Sequence, residues 1–273
     1  IEIVKLILKY NSKPSFINEK TSEGTAIHVA VMSKDYEIVK RLLSIPGIDP
    51  FLVNQQGENV LTSAIHNLDY NIIDSILELY GDKIKSNIWI LNSIFQSLNG
   101  FSFFGNNKNE KVLWKIVKRF MEIDSIDPNY MDQCTFLYKA CLCCNVEMVE
   151  YFLSLEKIDV NKYDLSSYET PLIAAICKGN ERIIELLINY PKTDLNLRNL
   201  SGESALFHAV KKELPNVVDL LVKNERFDPI ESRLNYAFIF ANAEISKKLA
   251  ELSFLDVNEV CVNMSQMDVK LSE

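Results

Sequence analysis

Glycine and proline are scarce in this chain, eight of each in 273 residues, and neither gathers in one segment. That excludes a collagenous, linker-like or low-complexity protein, all of which depend on those residues. No apolar run reaches the roughly 18 residues of a membrane-spanning helix. A basic face is missing too: 29 Lys and Arg stand against 37 Asp and Glu, the net charge is −8, and the pI is near 5.1. Phosphate backbones demand positive surface, so no nucleic-acid partner and no membrane insertion are expected. Gly100 and Gly105 lack the Lys-Ser/Thr that completes a phosphate loop, and only three histidines are present. No catalytic centre, cofactor or metal is expected from this inventory.

What is present is periodicity. The stretch from Glu169 to Arg198 holds two short apolar segments, 171–176 and 183–188, separated by Lys178, Gly179 and Asn180. Their spacing predicts a pair of short helices. Isolated helices below about 12–15 residues are marginal in water, so further elements must cover the pair. Similar units do recur. Apolar anchors at positions 3, 38, 72, 116, 148, 183, 217 and 245 are separated by 35, 34, 44, 32, 35, 34 and 28 residues. Such a recurrence defines a repeat array.

An independent register agrees. Eight residues before most anchors stands an alanine, with an apolar residue three before it: Ile27/Ala30, Leu61/Ala64, Leu137/Ala140, Leu172/Ala175, Leu206/Ala209 and Leu234/Ala237. The small residue lets neighbouring helices approach closely. Segments 24–30 (GTAIHVA), 170–175 (TPLIAA) and 202–209 (GESALFHA) resemble the Thr-Pro-Leu-His-x-Ala signature of ankyrin repeats. The Asp-x-Asn runs at 127–129, 159–161 and 194–196 resemble that family's exit into its finger. The resemblance covers residues 1–258 and implies an all-α solenoid of stacked helix-turn-helix units with short β-hairpin fingers. A loose tail is expected over 259–273.

Taken in order, the chain begins with Ile1 inside a second helix, and the first helix of that opening repeat is expected upstream. A finger follows at 16–22, then repeats at 23–53 and 54–87. The fourth repeat is irregular: its first helix (88–98) carries Trp89 and Phe95 without the signature, and about ten extra residues within 99–110 make a sub-boundary there. Repeats at 132–163, 164–198 and 199–231 are regular. The last, 232–258, puts Ser246, Lys247 and Lys248 on its second helix, as a solvated cap requires.

Polar candidates divide into structural and binding residues. By the resemblance, His28 bonds neighbouring loop backbone, whereas His66 and His208 sit on helix surfaces without a Ser, Cys or Asp partner at recognisable spacing. Cys134, Cys141, Cys143 and Cys144 invite a zinc reading. Register answers it by placing Cys141 in the core and Cys143 at the surface, with no histidine completing the set. Reduced thiols point to a cytoplasmic protein, with the nucleus as the alternative.

In such arrays each repeat touches its neighbours and the stack offers a concave surface. By the resemblance that surface is lined by finger tips and first helices. It implies a non-catalytic scaffold or adaptor, a monomer that binds a partner protein. The expected contact residues are Glu19, Lys20, Asn54, Gln55, Gln56, Tyr130, Met131, Asp132, Lys139, Tyr163, Asp164, Tyr168, Arg198, Asn199 and His208. The aromatic loop residues Phe101, Phe103 and Phe104 join them as insertion contacts. Val29, Ser63, Ala174 and Tyr236 fill the same variable first-helix slot as Lys139 and His208. The alternative is the targeting arm of a larger enzyme, such as a kinase or ubiquitin-ligase component.

Overall fold

The computed structural model describes residues 13–85, 110–123, 127–129, 134–230, 232, 237 and 241–250. They fall into two compact units, Ile1–Asp127 and Pro128–Glu273. The aromatic insertion with Phe101, Phe103 and Phe104, the expected helix at 88–98, the tip residues Tyr130, Met131 and Asp132, and the tail 259–273 lie outside the described residues.

The first unit contains α1 (Pro14–Ile17), α2 (Ala26–Met32), α3 (Tyr36–Leu43), α4 (Val60–His66), α5 (Tyr70–Lys85) and α6 (Glu110–Met121). The second contains α7 (Phe136–Leu142), α8 (Val146–Leu153), α9 (Pro171–Lys178), α10 (Glu181–Asn189), α11 (Ala205–Lys211), α12 (Pro215–Val222) and α13 (Ala243–Ala250). Within each unit the helices form two layers. First helices pack side by side, α2 on α4 and α7 on α9 on α11. Second helices do the same, α3 on α5 on α6 and α8 on α10 on α12 on α13.

The registered apolar residues make this packing. Leu61, Leu137 and Leu206 are fully buried, as are Ala64, Ala140, Ala175 and Ala209 on the same inward helix faces. Each buried Leu or Ile contributes roughly 1.5–3 kcal/mol, and the alanines keep the helix axes close enough for that contact. Ile245 and Leu249 face inward on α13, while Glu244 and Lys247 are exposed.

Short helices need defined ends. First helices are capped by Asn59, Thr135, Thr170 and Ser204, which accept from the backbone of Thr62, Tyr138, Ile173 and Phe207. Second helices are capped by Asp35, Asp69, Asn145, Asn180 and Asn242 in the same way. Between the helices of five pairs the chain turns through a left-handed residue: Lys34, Leu68, Cys144, Gly179 and Glu213, with φ between 54° and 72°. Only Gly179 takes that conformation without a Cβ penalty.

The fingers differ from the expectation. Among the described residues they contain isolated antiparallel bridges, Thr21 with Gly24 and Arg198 with Ser204, and no strand ladder. Side chains take over the ladder's role. Asn54 Oδ1 accepts from Gln56 N and Glu58 N, Asp164 Oδ2 from Ser166 N and Ser167 N, and Asn199 Oδ1 from Ser201 N and Glu203 N. Two further departures occur. Residues 14–17, at the start of the expected first finger, form a helical turn, because Pro14 opens a helix with no amide hydrogen to lose. Helix α5 continues for 16 residues through Lys85, consuming the segment that lacked the Asp-x-Asn exit.

Candidate functional site

The fingers of the second unit carry an exposed apolar patch. Tyr163 and Tyr168 flank the turn closed by Asp164, and their ring centroids are 4.5 Å apart. Both are about two-fifths exposed, Leu165 is 51% exposed and Leu200 62%. Leu200 belongs to the next finger, yet its backbone N–H donates to Ser167 O at 2.9 Å, so the two tips share one surface. Tyr168 holds a left-handed backbone, φ 58°, which turns its ring outward beside Tyr163. Arg198 is exposed at the margin of the patch and Lys162 half-buried.

Several expected contact residues have other work. Asp164, expected as a contact residue, is 7% exposed, and its carboxylate accepts from the backbone of the finger turn. Asn54 and Asn199 are committed to the equivalent turns. His208 is buried as well, contrary to the surface position expected for it. The slot it occupies is closed over in Ser63 and Ala174 too, whereas Val29 is exposed and Lys139 half-buried. First helices packed side by side cover this slot. Glu19, Lys20, Gln55 and Gln56 are exposed, as expected of tips.

His28 does what the resemblance implied. Thr25 N–H donates to its Nδ1 at 3.3 Å, which leaves the proton on Nε2 to donate to Glu58 O at 3.1 Å in the next finger. Burial pushes its pKa down, opposed by that carbonyl and the Glu58 charge. His66 Nδ1 lies 2.7 Å from Glu58 Oε1, an exposed pairing. The cysteine cluster does not assemble a ligand set: Cys141 is fully buried with its thiol pKa pushed up by desolvation, while Cys144 is exposed at its turn.

A different polar cluster forms between α9 and α11. Cys177 Sγ lies 3.4 Å from His208 Nδ1, and Glu203 Oε2 lies 3.3 Å from His208 Nε2. Asn199 Nδ2 also approaches Nε2, at 3.4 Å. Glu169 completes the group, and ligand atoms of Glu169, Cys177 and His208 all fall within 4.8 Å of one another. Tyr138 donates to Glu169 Oε2 at 3.1 Å. Burial raises the Cys177 thiol pKa, helped by the Glu169 charge, and burial lowers that of His208 against the opposing charge of Glu203. Residues 177 and 208 lie 31 apart, near one repeat period; their separation was the available signal, but register alone pointed His208 outward.

Among the described residues no helix is long and apolar enough to cross a membrane. A profile of ankyrin repeats matches in three copies, over residues 1–88, 106–199 and 152–233. The chain is 26% identical over 212 residues to a protein described as the NAD-dependent deacetylase sir2B of Dictyostelium discoideum, covering 75% of this chain and 26% of that protein. It thus spans about a quarter of that relative's length. Among solved structures, the ankyrin repeat domain of Bcl-3 covers 92% of this chain (91% of its own) at 17% identity and a TM-score of 0.42. The ankyrin repeat protein EF0377 covers 84% (98% of its own) at 20% identity and a TM-score of 0.37. Repeats of this kind generally serve protein–protein interaction. With its profile matches spanning most of its length, this chain belongs to the ankyrin repeat family.

Proposed function

We propose that the chain is a non-catalytic adaptor that holds a partner protein on the finger tips of its second unit. The observation that carries this reading is the exposed cluster of Tyr163, Leu165, Tyr168 and Leu200. Leaving large apolar groups in water costs stability, and contiguous exposed groups of this kind mark interaction surfaces. Tyrosine suits such a surface, since it brings large contact area with few rotatable bonds and a polar tip. Arg198 and Lys162 at the margin favour a partner with an apolar centre and acidic rim. A cytoplasmic site of action accords with the free thiols.

The test compares wild type with a variant carrying Tyr163→Ser, Tyr168→Ser and Leu200→Ser. The partner recovered by affinity capture is purified and titrated against both proteins. The reading expects an affinity loss of at least about a hundredfold, since a buried aromatic anchor alone is worth about 2 kcal/mol or more, with the melting temperature kept. Equal affinity with equal melting temperature would overturn it.

A second reading rests on the deacetylase relative: the array is the targeting arm of a larger enzyme. The match over 26% of that protein favours it. Sequencing the complete reading frame decides, because a catalytic domain beside the repeats supports the arm and its absence refutes it.

A further inference from the structure

Glu169, Cys177 and His208 do not take part in the finger-tip surface, and their arrangement has its own chemistry. Glu169 precedes the cap of α9, Cys177 lies in the last turn of α9, and His208 projects from the middle of α11. We propose that these three residues form a binding site for a borderline-soft divalent cation of the Zn2+ class. The site would clamp two successive repeats together.

Three observations carry it. The first is spacing. In a tetrahedral zinc site the bonds are about 2.0–2.3 Å, which separates neighbouring ligand atoms by roughly 3.3–3.8 Å. Cys177 Sγ and His208 Nδ1 are already 3.4 Å apart, and every pair in the group is within 4.8 Å. A contraction on the order of 1 Å by the Glu169 side chain closes the set. The second is ligand type: thiolate, imidazole and carboxylate are the donors zinc accepts, and this mixture is poorly suited to calcium or magnesium, which take oxygen alone.

The third is the outer shell. Metal-bound histidines characteristically donate their other ring N–H to a carboxylate, which fixes tautomer and orientation. With Nδ1 bound to the cation the ring proton sits on Nε2, where Glu203 Oε2 stands 3.3 Å away beside the Asn199 carboxamide nitrogen at 3.4 Å. Tyr138 holds Glu169 Oε2 at 3.1 Å in the corresponding role for the carboxylate. Cys177 is half-buried, so an ion reaches the group from solvent. Three protein ligands leave a fourth position to water.

The binding step balances simply. The neutral Cys177 thiol becomes a thiolate bound to the cation, and its proton passes to buffer; Glu169 binds as the carboxylate and His208 as the neutral ring. Affinity therefore falls as pH falls.

The experiment uses the whole chain, stripped with chelator and titrated with Zn2+ by calorimetry, then with Co2+ by absorption spectroscopy. The expected result is one tight Zn2+ per chain, proton release, a thiolate-to-cobalt charge-transfer band, and a zinc-dependent rise in melting temperature. Cys177→Ser should abolish the band and weaken Zn2+ by at least about a hundredfold. Glu203→Gln should weaken it by about tenfold to a hundredfold, as outer-shell losses do. Cys144→Ser, at an exposed thiol in another repeat, should change neither. Failure of wild type to show the band overturns the proposal whatever the variants do. So does retention of the band and affinity in Cys177→Ser, or their loss in Cys144→Ser.

Discussion

Asn161 and Asp194 lock adjacent fingers: the Asn161 carboxamide accepts from Asp194 N at 2.8 Å while its Nδ2 donates to Lys192 O at 2.8 Å. The same pair of bonds joins Asn18 to Gly47 and Asp49, Asn129 to Lys157 and Asp159, and Asn196 to Arg226 and Asp228. Each aspartate's carboxylate then accepts from the residue two further on, which is Asn161 or Asn196 in two cases. A ladder of side chains thus links neighbouring fingers where the described residues form no strand ladder.

Asn161→Ala removes both bonds and strands the facing amide and carbonyl. Since each net hydrogen bond is worth about 0.5–1.5 kcal/mol, a loss of about 1–3 kcal/mol is expected. Urea denaturation checks it through the midpoint. A change below about 0.5 kcal/mol would show that water replaces the bridge fully.

The left-handed turns predict substitutions of opposite sign. Glu213 pays the Cβ penalty at φ 54°, so Glu213→Gly should gain up to about 1 kcal/mol after the extra chain entropy of glycine is subtracted. Gly179 has open space around its Cα, so Gly179→Ala meets no clash and should lose about 1 kcal/mol from conformation alone. Thermal melting of the two variants, which should move in opposite directions, checks both.

Arg226 closes the C-terminal end of α10. Its guanidinium donates to the carbonyls of Ile188, Tyr190 (2.9 Å) and Thr193 (2.7 Å), at the helix end and in the turn that follows it. Arg226→Ala should cost about 1.5–3 kcal/mol, the range for bonds to a charged group. Arg226→Lys should recover little, because one ammonium cannot reproduce the planar fork. Chemical denaturation of the pair distinguishes lost charge from lost geometry.

His28 predicts a pH dependence. Its native pKa lies below the usual 6.5, so the unfolded chain binds the proton more tightly. Its contribution is fully present above about pH 6.5 and is lost as pH falls through that value toward the native pKa, below which the loss levels off. Melting wild type and His28→Gln at about pH 7.5 and about pH 5.5 should show a smaller acid loss in the variant. Equal losses would assign the acid sensitivity elsewhere.

The array, its period and its inward faces were legible in the chain. Leu172 and Leu206 are buried as their register required, and Cys141 is a core residue for the same reason. Periodicity reports which face of a helix is covered, because burying apolar area dominates the energy of so short an element. The polar partners were not legible. Whether His208 faces solvent or Cys177 depends on how closely α9 and α11 approach, a distance of a few ångströms that no spacing within one repeat encodes. The same holds for Arg226, which reaches back across 38 residues to Ile188. Sequence alone therefore determined the repeating helical pairs. Only the tertiary structure decided which side chains of neighbouring repeats meet, because hydrogen bonds and ligand sets are short-ranged and directional while hydrophobic patterning is neither.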